Sequence, residues 1–229
     1  MEAIVLAGGM GTRLQEVVSD VPKAMAPING KPFLFYLFQW LKKYPVEKII
    51  LSVGYMSDSI VEYFGNSFCN ISIEYVIEEN PLGTGGAVKY ALQKTKGSDT
   101  LIINGDTYFP IDINDFYSFH INNNYLFSIA LKQMQNFYRY GSVECYENTI
   151  LKFNEKKFCS SGLINGGIYL VNRQYFDSKL LPVVFSLENE ILEKEAGSSI
   201  LKGLVFDHLF IDIGIPEDYS IAKTLLTKK

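Results

Sequence analysis

The residues with the clearest chemical meaning lie near the start of the chain, in the sequence Ile4-Val5-Leu6-Ala7-Gly8-Gly9-Met10-Gly11-Thr12-Arg13-Leu14. A short apolar run, typical of a buried strand, leads into three glycines within four positions. Glycine lets a backbone approach a ligand closely, and the exposed N–H groups of such a turn bind anions. Arg13 adds a planar, permanently charged group that suits phosphate. The pattern predicts a nucleoside triphosphate site that opens an α/β domain.

A second block of residues that could bind a ligand begins at Glu78-Glu79 and continues through Asn80-Pro81-Leu82-Gly83-Thr84-Gly85-Gly86. Thr84 is expected to cap a helix whose glycine-lined start lets a ligand approach. The Glu78 carboxylate could accept paired hydrogen bonds from N1–H and N2–H of guanine, whereas uracil and thymine each present one donor flanked by acceptors. A site built around such a pairing rejects the other bases, so it favours guanine. The alternative is that both glutamates are solvated at a strand end.

A third candidate is Asp106, in Asn104-Gly105-Asp106, which follows the apolar run Leu101–Ile103. Ligands of open α/β sheets gather at the carboxyl ends of the strands. An aspartate in this place is a natural ligand of Mg²⁺, which takes one or two carboxylates together with phosphate oxygens and water. The alternative is that Asp106 is only a turn residue.

Two other phosphate-binding patterns fit the sequence poorly. The spacing of a dinucleotide site is broken by Thr12-Arg13, and the second strand runs into Gly54-Tyr55 instead of a carboxylate. A Walker P-loop is disfavoured because Gly30-Lys31 is followed by Pro32, not by Ser or Thr. The triphosphate interpretation is therefore preferred.

The segment Leu6–Leu14, followed by Asp20-Val21-Pro22-Lys23-Ala24-Met25-Ala26-Pro27-Ile28, resembles the sugar-phosphate nucleotidyltransferases, which make nucleotide-diphosphate sugars. It matches nearly all of the family's G-G-x-G-T-R-L…P-K signature. The resemblance implies that a sugar 1-phosphate attacks the α-phosphorus of a nucleoside triphosphate and that pyrophosphate leaves in line, without a protein nucleophile. The implied catalytic residues are Arg13, Lys23 and Asp106. The implied nucleotide-binding residues are Leu6, Ala7, Gly8, Gly9, Gly11, Thr12, Arg13, Glu78, Pro81, Gly83 and Thr84.

Later segments extend the resemblance. Phe210–Pro216 resembles the family's D-x-G-T-P element, which implies that Asp106 and Asp212 bind one Mg²⁺; Ile215, where Thr is usual, cannot cap the helix that starts at Pro216. Phe153-Asn154-Glu155-Lys156 resembles F-x-E-K-P, and Ile164–Tyr169 resembles N-A-G-I-Y. Glycine at 166, where the family has alanine, is expected to leave room for a larger sugar. The implied sugar-phosphate-binding residues are Gly105, Glu155, Lys156, Asn165 and Gly166.

The segments Val18–Ile28 and Lys31–Leu34 are most similar to the branch of the family that guanylylates D-glycero-D-manno-heptose 1-phosphate. This implies GTP as the donor, Mg²⁺ as the cofactor, and GDP-heptose for a bacterial surface polysaccharide (capsule, lipopolysaccharide or S-layer) as the product. Three alternatives stay open. They are a mannose-1-phosphate guanylyltransferase, a uridylyltransferase for an N-acetylhexosamine or N-acetylmuramate 1-phosphate, and a non-catalytic subunit that senses a nucleotide sugar.

The elements that must position these residues follow from apolar spacing. The first half alternates strands and helices, which predicts a Rossmann-like, doubly wound, mixed and mostly parallel α/β sheet covered on both faces. The second half suggests a small antiparallel sugar-binding extension. We expect one domain over residues 1–229, with a nucleotide-binding half to about 110 and a sugar-phosphate half from about 111. The predicted strands are 4–6, 49–53, 71–77, 101–103, 127–132, 141–145, 150–153 and 167–171; the predicted helices are 32–43, one that Ser57 caps, 84–94, 174–180, 186–196 and 216–225.

The composition limits the class of protein and the cellular compartment that we expect. The chain has 229 residues, 48% of them hydrophobic, and a net charge of −4, which predicts a sizeable core and no basic face for nucleic acid. An odd count of cysteines without paired spacing, Cys69, Cys145 and Cys159, fits a reducing cytosol better than a disulfide framework or a zinc site. The apolar start is too short for a signal peptide, and no apolar run approaches the roughly 20 residues of a membrane span. We therefore expect a cytoplasmic enzyme without a membrane partner.

The helix predicted over residues 32–43 is apolar nearly all round. Such a helix is either deeply buried or packed against a partner, so it permits a homodimer without requiring one. His120 and His208 lie far from the motifs and are expected to be structural.

Overall fold

The structure, a computed structural model, describes residues 1–9, 14, 17–18 and 20–226. The strands are β1 (Glu2–Leu6), β2 (Pro27–Ile28), β3 (Lys31–Pro32), β4 (Lys48–Val53), β5 (Ser67–Phe68), β6 (Ile71–Ile77), β7 (Asp99–Asn104), β8 (Thr107–Tyr108), β9 (Phe127–Phe137), β10 (Gly141–Tyr146), β11 (Thr149–Lys156), β12 (Cys159–Asn172), β13 (Leu201–Phe206) and β14 (Ile211–Asp212). The α-helices are α1 (Phe33–Leu41), α2 (Ser57–Phe64), α3 (Gly83–Ala91), α4 (Ile113–Asn122), α5 (Arg173–Asp177), α6 (Glu193–Glu195) and α7 (Pro216–Leu225).

A ten-stranded sheet runs through both halves of the chain in the order β10-β11-β13-β9-β12-β7-β1-β4-β6-β5. Its first-half strands β7, β1, β4 and β6 are parallel, as predicted, and β12 joins them by pairing antiparallel to β7. The α/β class and the mixed sheet are confirmed. The antiparallel part is larger than the small extension expected, because β9 to β13 all belong to this sheet, with β13 parallel to β9.

Both faces of β1, β4 and β7 are buried, which explains why these three strands are nearly continuous apolar runs. Successive residues of β1 alternate between two cores: Val5 faces the core that contains α1, and Ile4 faces the core that contains α3. α1 is buried within its own chain, with Leu34, Leu37 and Phe38 fully inaccessible. Of the two alternatives for this helix, burial is therefore confirmed, and the homodimer stays a prediction.

Several predicted boundaries differ in the structure. Ser57 is the first residue of α2 and not its cap, because Met56 takes the left-handed conformation before it, with φ 53°. Pro32 likewise precedes α1, since it is extended and paired in β3. The helix expected over 186–196 is a π-helical turn, Glu188–Leu192, that continues into α6. α7 begins without a side-chain cap, as expected from Ile215.

The sequence reasoning missed α4 and β13. α4 carries a clear signal, because the side chain of Asp112 accepts hydrogen bonds from the backbone N–H groups of Asn114 and Asp115. Its buried His120 contacts the Ser128 hydroxyl at 2.8 Å and an Asp99 oxygen at 3.2 Å, which ties the helix to the sheet. Burial lowers the pKa of His120. This structural role agrees with the expectation for that residue.

Among the residues that the structure describes, no helix has the length and apolar character needed to cross a membrane.

Candidate active site

The two aspartates expected to share a metal are brought together by two very short strands. Asp106 follows β7, and β8 begins directly after it. β8 pairs antiparallel with β14 so that Asp212 lies opposite Thr107, and the Ile213 N–H donates to the Asp106 carbonyl at 3.1 Å. Asp106 and Asp212 are therefore neighbours in space although they are far apart in the chain.

Lys23 lies between these two carboxylates. Its Nζ donates to Asp106 Oδ2 at 2.6 Å and is 3.7 Å from Asp212 Oδ1. A single 3₁₀ turn, Lys23–Met25, follows Pro22 and holds the lysine, whose side chain is only 14% exposed. Burial and the Asp106 charge raise the pKa of Asp212. One ammonium thus faces two carboxylates, which leaves a local excess of negative charge that a divalent cation would neutralise.

The donor set fits a magnesium ion bound jointly by the protein and a phosphate. Asp106 and Asp212 supply carboxylate oxygens, which Mg²⁺ prefers, and this ion ordinarily completes its shell with phosphate oxygens and water. Within the described part of the chain, no group of three or more His, Cys, Asp or Glu side chains forms a metal cluster. The carboxylate pair suits a divalent cation that a phosphorylated ligand helps to bind.

A cleft of about 290 Å³ opens beside this pair, at the carboxyl ends of β1 and β7. It brings together most of the predicted site residues, namely Leu6, Ala7, Gly8, Gly9, Lys23, Glu78, Pro81, Gly83, Thr84, Gly105 and Asp106. Ala24, Ala87 and Asn104 also line it and were missed by the sequence reasoning. Gly11, Thr12 and Arg13 lie outside the described residues, so their roles stay predictions.

Glu78 is held rigidly at one wall of the cleft. Its Oε1 accepts from the Ser52 hydroxyl at 2.9 Å, and its Oε2 accepts from the Leu82 N–H at 3.1 Å. A Cβ at Gly8 would lie 2.7 Å from Oε1, so glycine there makes room for this carboxylate. Each oxygen keeps a lone pair for a further donor. The geometry gives Glu78 a fixed direction, as recognition of a base edge requires.

The glycines of the second block pack closely against another segment of the chain, at Phe185. The Phe185 carbonyl accepts hydrogen bonds from the N–H groups of Gly85 and Gly86, at 3.0 and 3.2 Å. A Cβ at Gly85 would lie 2.1 Å from the Phe185 ring, and one at Gly83 would lie 2.5 Å from the Phe185 carbonyl oxygen. The prediction that glycine at position 85 lets a ligand approach is therefore wrong, since Phe185 occupies that space. Gly83 and Thr84 still line the cleft, and their contact with a ligand stays a prediction.

The expected cap at Thr84 is also wrong. Leu82 precedes the first turn of α3, and Thr84 lies inside that turn. The Thr84 hydroxyl instead accepts from the Leu187 N–H at 2.8 Å and donates to Glu188 Oε2 at 2.7 Å. Thr84 thus fastens the segment after Phe185 to the wall of the cleft.

Asn165, in the second half of the chain, lies outside the cleft lining, and its contact with a sugar stays a prediction. Its Nδ2 donates to the Tyr169 hydroxyl at 2.9 Å, and its Oδ1 accepts from the Gly167 N–H at 2.9 Å. β12 is irregular between Asn165 and Tyr169, and Gly167, with φ +71°, packs against Asn104 of the cleft. Glu155 and Lys156 are exposed at the end of β11 and lie outside the cleft lining. Their contact with a sugar phosphate stays a prediction.

The expectation that Gly166 leaves room for a larger sugar is wrong. A Cβ at this position would lie 2.6 Å from carbon atoms of the Phe109 ring and 2.7 Å from the Ala130 carbonyl oxygen. Phe109 is fully buried. The volume of the missing methyl group is therefore filled by the core and is not open to a ligand.

Gly166→Ala should consequently lower the stability of the protein without widening or narrowing its choice of sugar. Overpacking a core costs about 1–3 kcal/mol, which should reduce the urea midpoint of unfolding. Phe109→Leu makes space at the same point, so the double variant should lose less than the sum of the two single losses. Strict additivity, or an unchanged midpoint in Gly166→Ala, would contradict the packing described here.

A side-chain network that the sequence reasoning missed lies on the far side of Asp212. The Tyr140 hydroxyl donates to Asp212 Oδ2 at 3.3 Å, and Arg139 contacts both Tyr140 and Asp218. Burial and the nearby Asp212 charge raise the pKa of Tyr140, so its hydroxyl stays protonated and can donate. Tyr140 is 72 positions from Asp212 along the chain, and no motif connects the two residues.

The site combines a glycine-lined strand end with a lysine and two aspartates at the carboxyl edge of a parallel sheet. This arrangement defines an α/β enzyme site for a phosphorylated ligand. The family model described as nucleotidyl transferase matches residues 2–227, and the chain belongs to this family. It is 47% identical over 223 residues to D-glycero-alpha-D-manno-heptose 1-phosphate guanylyltransferase of Aneurinibacillus thermoaerophilus, covering 97% of each chain.

A second relative and a solved structure are similar to this chain over nearly its whole length. The enzyme of the same description from Campylobacter jejuni is 46% identical over 220 residues, covering 96% of this chain and 97% of that one. The crystal structure of HddC from Yersinia pseudotuberculosis complexed with GMP-PN superimposes with a TM-score of 0.89 at 36% identity, covering 99% of both chains. The predicted fold and the predicted reaction class, nucleotidyl transfer, are confirmed.

Proposed function

We propose that this enzyme transfers the guanylyl group of GTP to D-glycero-α-D-manno-heptose 1-phosphate, which releases pyrophosphate and forms GDP-heptose. The observation that carries the proposal is the cleft in which Lys23 and Asp106 face the oriented carboxylate of Glu78. It is supported by two relatives of that description at 46–47% identity. The GMP-PN complex of the related Yersinia protein supports guanine as the base.

Each part of the cleft has a role in this reaction. Asp106 and Asp212 would hold Mg²⁺, which supplies charge neutralisation for phosphoryl chemistry. Gly8 and Gly9 let the backbone approach the triphosphate, and Lys23 stabilises the negative charge that builds up on the phosphates. Two anionic substrates must meet, so their orientation and charge compensation account for most of the catalysis.

Glu78 selects the base of the nucleotide. Its carboxylate is fixed by Ser52 and Leu82, so it presents acceptors in one direction. Guanine offers two adjacent donors, N1–H and N2–H, whereas uracil sets one donor between two acceptors. The half-buried Glu78 carboxylate would find no second donor on uracil or thymine and would be repelled by their acceptors, which penalises UTP and dTTP.

The proposal also places the enzyme in a reducing bacterial cytosol, where it makes GDP-heptose for a surface polysaccharide. The free thiols of Cys69, Cys145 and Cys159 support the reducing compartment.

A coupled pyrophosphate assay tests the proposal by crossing GTP, UTP, dTTP and CTP with the 1-phosphates of heptose, mannose and an N-acetylhexosamine. GTP with heptose 1-phosphate should give the highest kcat/KM. Glu78→Gln should lower kcat/KM for GTP by about 10- to 100-fold, as expected when a bidentate base contact is lost. Glu79→Gln, the same substitution at the exposed neighbouring residue, is the matched control and should have no effect.

Other outcomes would replace the proposal by a specific alternative. Turnover with UTP and none with GTP would overturn the base assignment, and a preference for mannose 1-phosphate would make the enzyme a mannose-1-phosphate guanylyltransferase. Pyrophosphate release from no combination would favour a sensing subunit.

A further inference from the structure

Asp212 is contacted at both carboxylate oxygens. The Gly214 N–H donates to Oδ1 at 2.8 Å, and Lys23 approaches the same oxygen at 3.7 Å. The Tyr140 hydroxyl donates to Oδ2 at 3.3 Å. A carboxylate at the end of a single-bond side chain can rotate, and contacts at both oxygens fix its plane. Tyr140 supplies the contact on the side away from the Lys23–Asp106 pair.

Tyr140 is itself held in place from several directions. The Arg139 guanidinium lies 5.4 Å from the centre of the Tyr140 ring and donates to its hydroxyl at 3.2 Å. The Phe210 ring packs edge-on against it, with 5.7 Å between ring centres. Arg139 also pairs with Asp218, in the first turn of α7. The phenol is therefore anchored to two elements that flank Asp212 in the chain, the segment before β14 and the helix after it.

We propose that Tyr140 is a positioning residue for the metal ligand Asp212 and that Arg139 and Asp218 orient Tyr140. The inference rests on the proposed metal role of Asp212. Partners that hydrogen-bond to a metal ligand set its orientation and basicity, and their loss typically weakens metal affinity about 10- to 100-fold. Tyr140 donates to Oδ2 while Lys23 contacts Oδ1, so a cation between the two aspartates leaves the Tyr140 bond in place.

The test measures Mn²⁺ binding to the full chain in the presence of a non-hydrolysable GTP analogue. Electron paramagnetic resonance reports the concentration of free Mn²⁺. Tyr140→Phe removes only the hydroxyl and should weaken Mn²⁺ binding about 10-fold, while the metal-free variant should unfold within about 2–4 °C of the wild type. Raising the Mn²⁺ concentration should restore kcat, because the defect is in affinity. Tyr138→Phe is the matched control, since this tyrosine lies in the same loop and is 67% exposed.

Arg139→Gln should weaken Mn²⁺ binding in the same direction. Because Arg139 acts through Tyr140, the double variant with Tyr140→Phe should bind Mn²⁺ about as well as Tyr140→Phe alone. Additive losses would overturn the role given to Arg139.

Asp212→Asn separates this inference from the proposed function. Wild-type Mn²⁺ binding in Asp212→Asn would overturn the metal role of Asp212 itself. Loss of binding in Asp212→Asn together with wild-type binding in Tyr140→Phe would overturn the positioning role alone.

Discussion

Replacing Lys23 with alanine should reduce kcat about 10²- to 10³-fold, the usual loss when one preorganised charge-stabilising donor is removed. The lysine is nearly buried, held by its own 3₁₀ turn, and points into the cleft beside Asp106. It is therefore placed to stabilise charge on a phosphate without first being ordered. Single-turnover measurement of pyrophosphate release would report this loss directly.

The same variant should not lose metal affinity. In the structure the Lys23 ammonium contacts both Asp106 and Asp212, so it competes with any cation for these oxygens. Lys23→Ala should bind Mn²⁺ at least as tightly as the wild type while turning over far more slowly. Lys43→Ala, at an exposed lysine after α1, serves as the control and should leave both properties unchanged. A near-wild-type rate for Lys23→Ala in folded protein would refute the assignment.

Asp106→Asn should reduce kcat by about 10³-fold or more. A metal ion contributes several kcal/mol of charge stabilisation, and each 1.36 kcal/mol corresponds to roughly a factor of ten in rate. The substitution keeps the size of the side chain and its contact with Lys23, but removes the negative charge that the ion needs. The measurement is kcat as a function of Mg²⁺ concentration, with the wild type inactivated by a chelator as the reference.

Excess Mg²⁺ should not rescue Asp106→Asn, in contrast to the rescue by Mn²⁺ expected for Tyr140→Phe. Asp115→Asn, at an exposed aspartate in the first turn of α4, is the matched control and should keep the wild-type rate. Activity of Asp106→Asn that equals this control would show that the metal is bound elsewhere.

The local pattern of the sequence was enough to predict the parts of the site that lie next to buried strands. β1 and β7 are continuous apolar runs, so the ligand-facing residues that follow them, Gly8 and Asp106, could be located without coordinates. Lys23 and Asp212 came only from resemblance to a family. Asp212 is brought beside Asp106 by the two-residue strands β8 and β14, which are too short to produce a periodic pattern.

The errors have a common physical origin. A glycine shows that something approaches the backbone closely, but it does not show what approaches. At Gly85 and Gly166 the approaching groups are Phe185 and Phe109, which belong to the core. Tyr140 was missed for a related reason, since its partner Asp212 is reached only through the packing of the β9–β10 connection against β14.

The fastening of Phe185 and Leu187 to α3 has a consequence for anyone who wishes to redesign this enzyme. The helix start beside Glu78 is completed by backbone from the second half of the chain, through bonds to Gly85, Gly86 and Thr84. Substituting residues 183–188 should therefore alter the KM for the nucleotide. Exchanging that segment between relatives would succeed only if the glycine-rich block moved with it, so the two should be treated as a single transferable module.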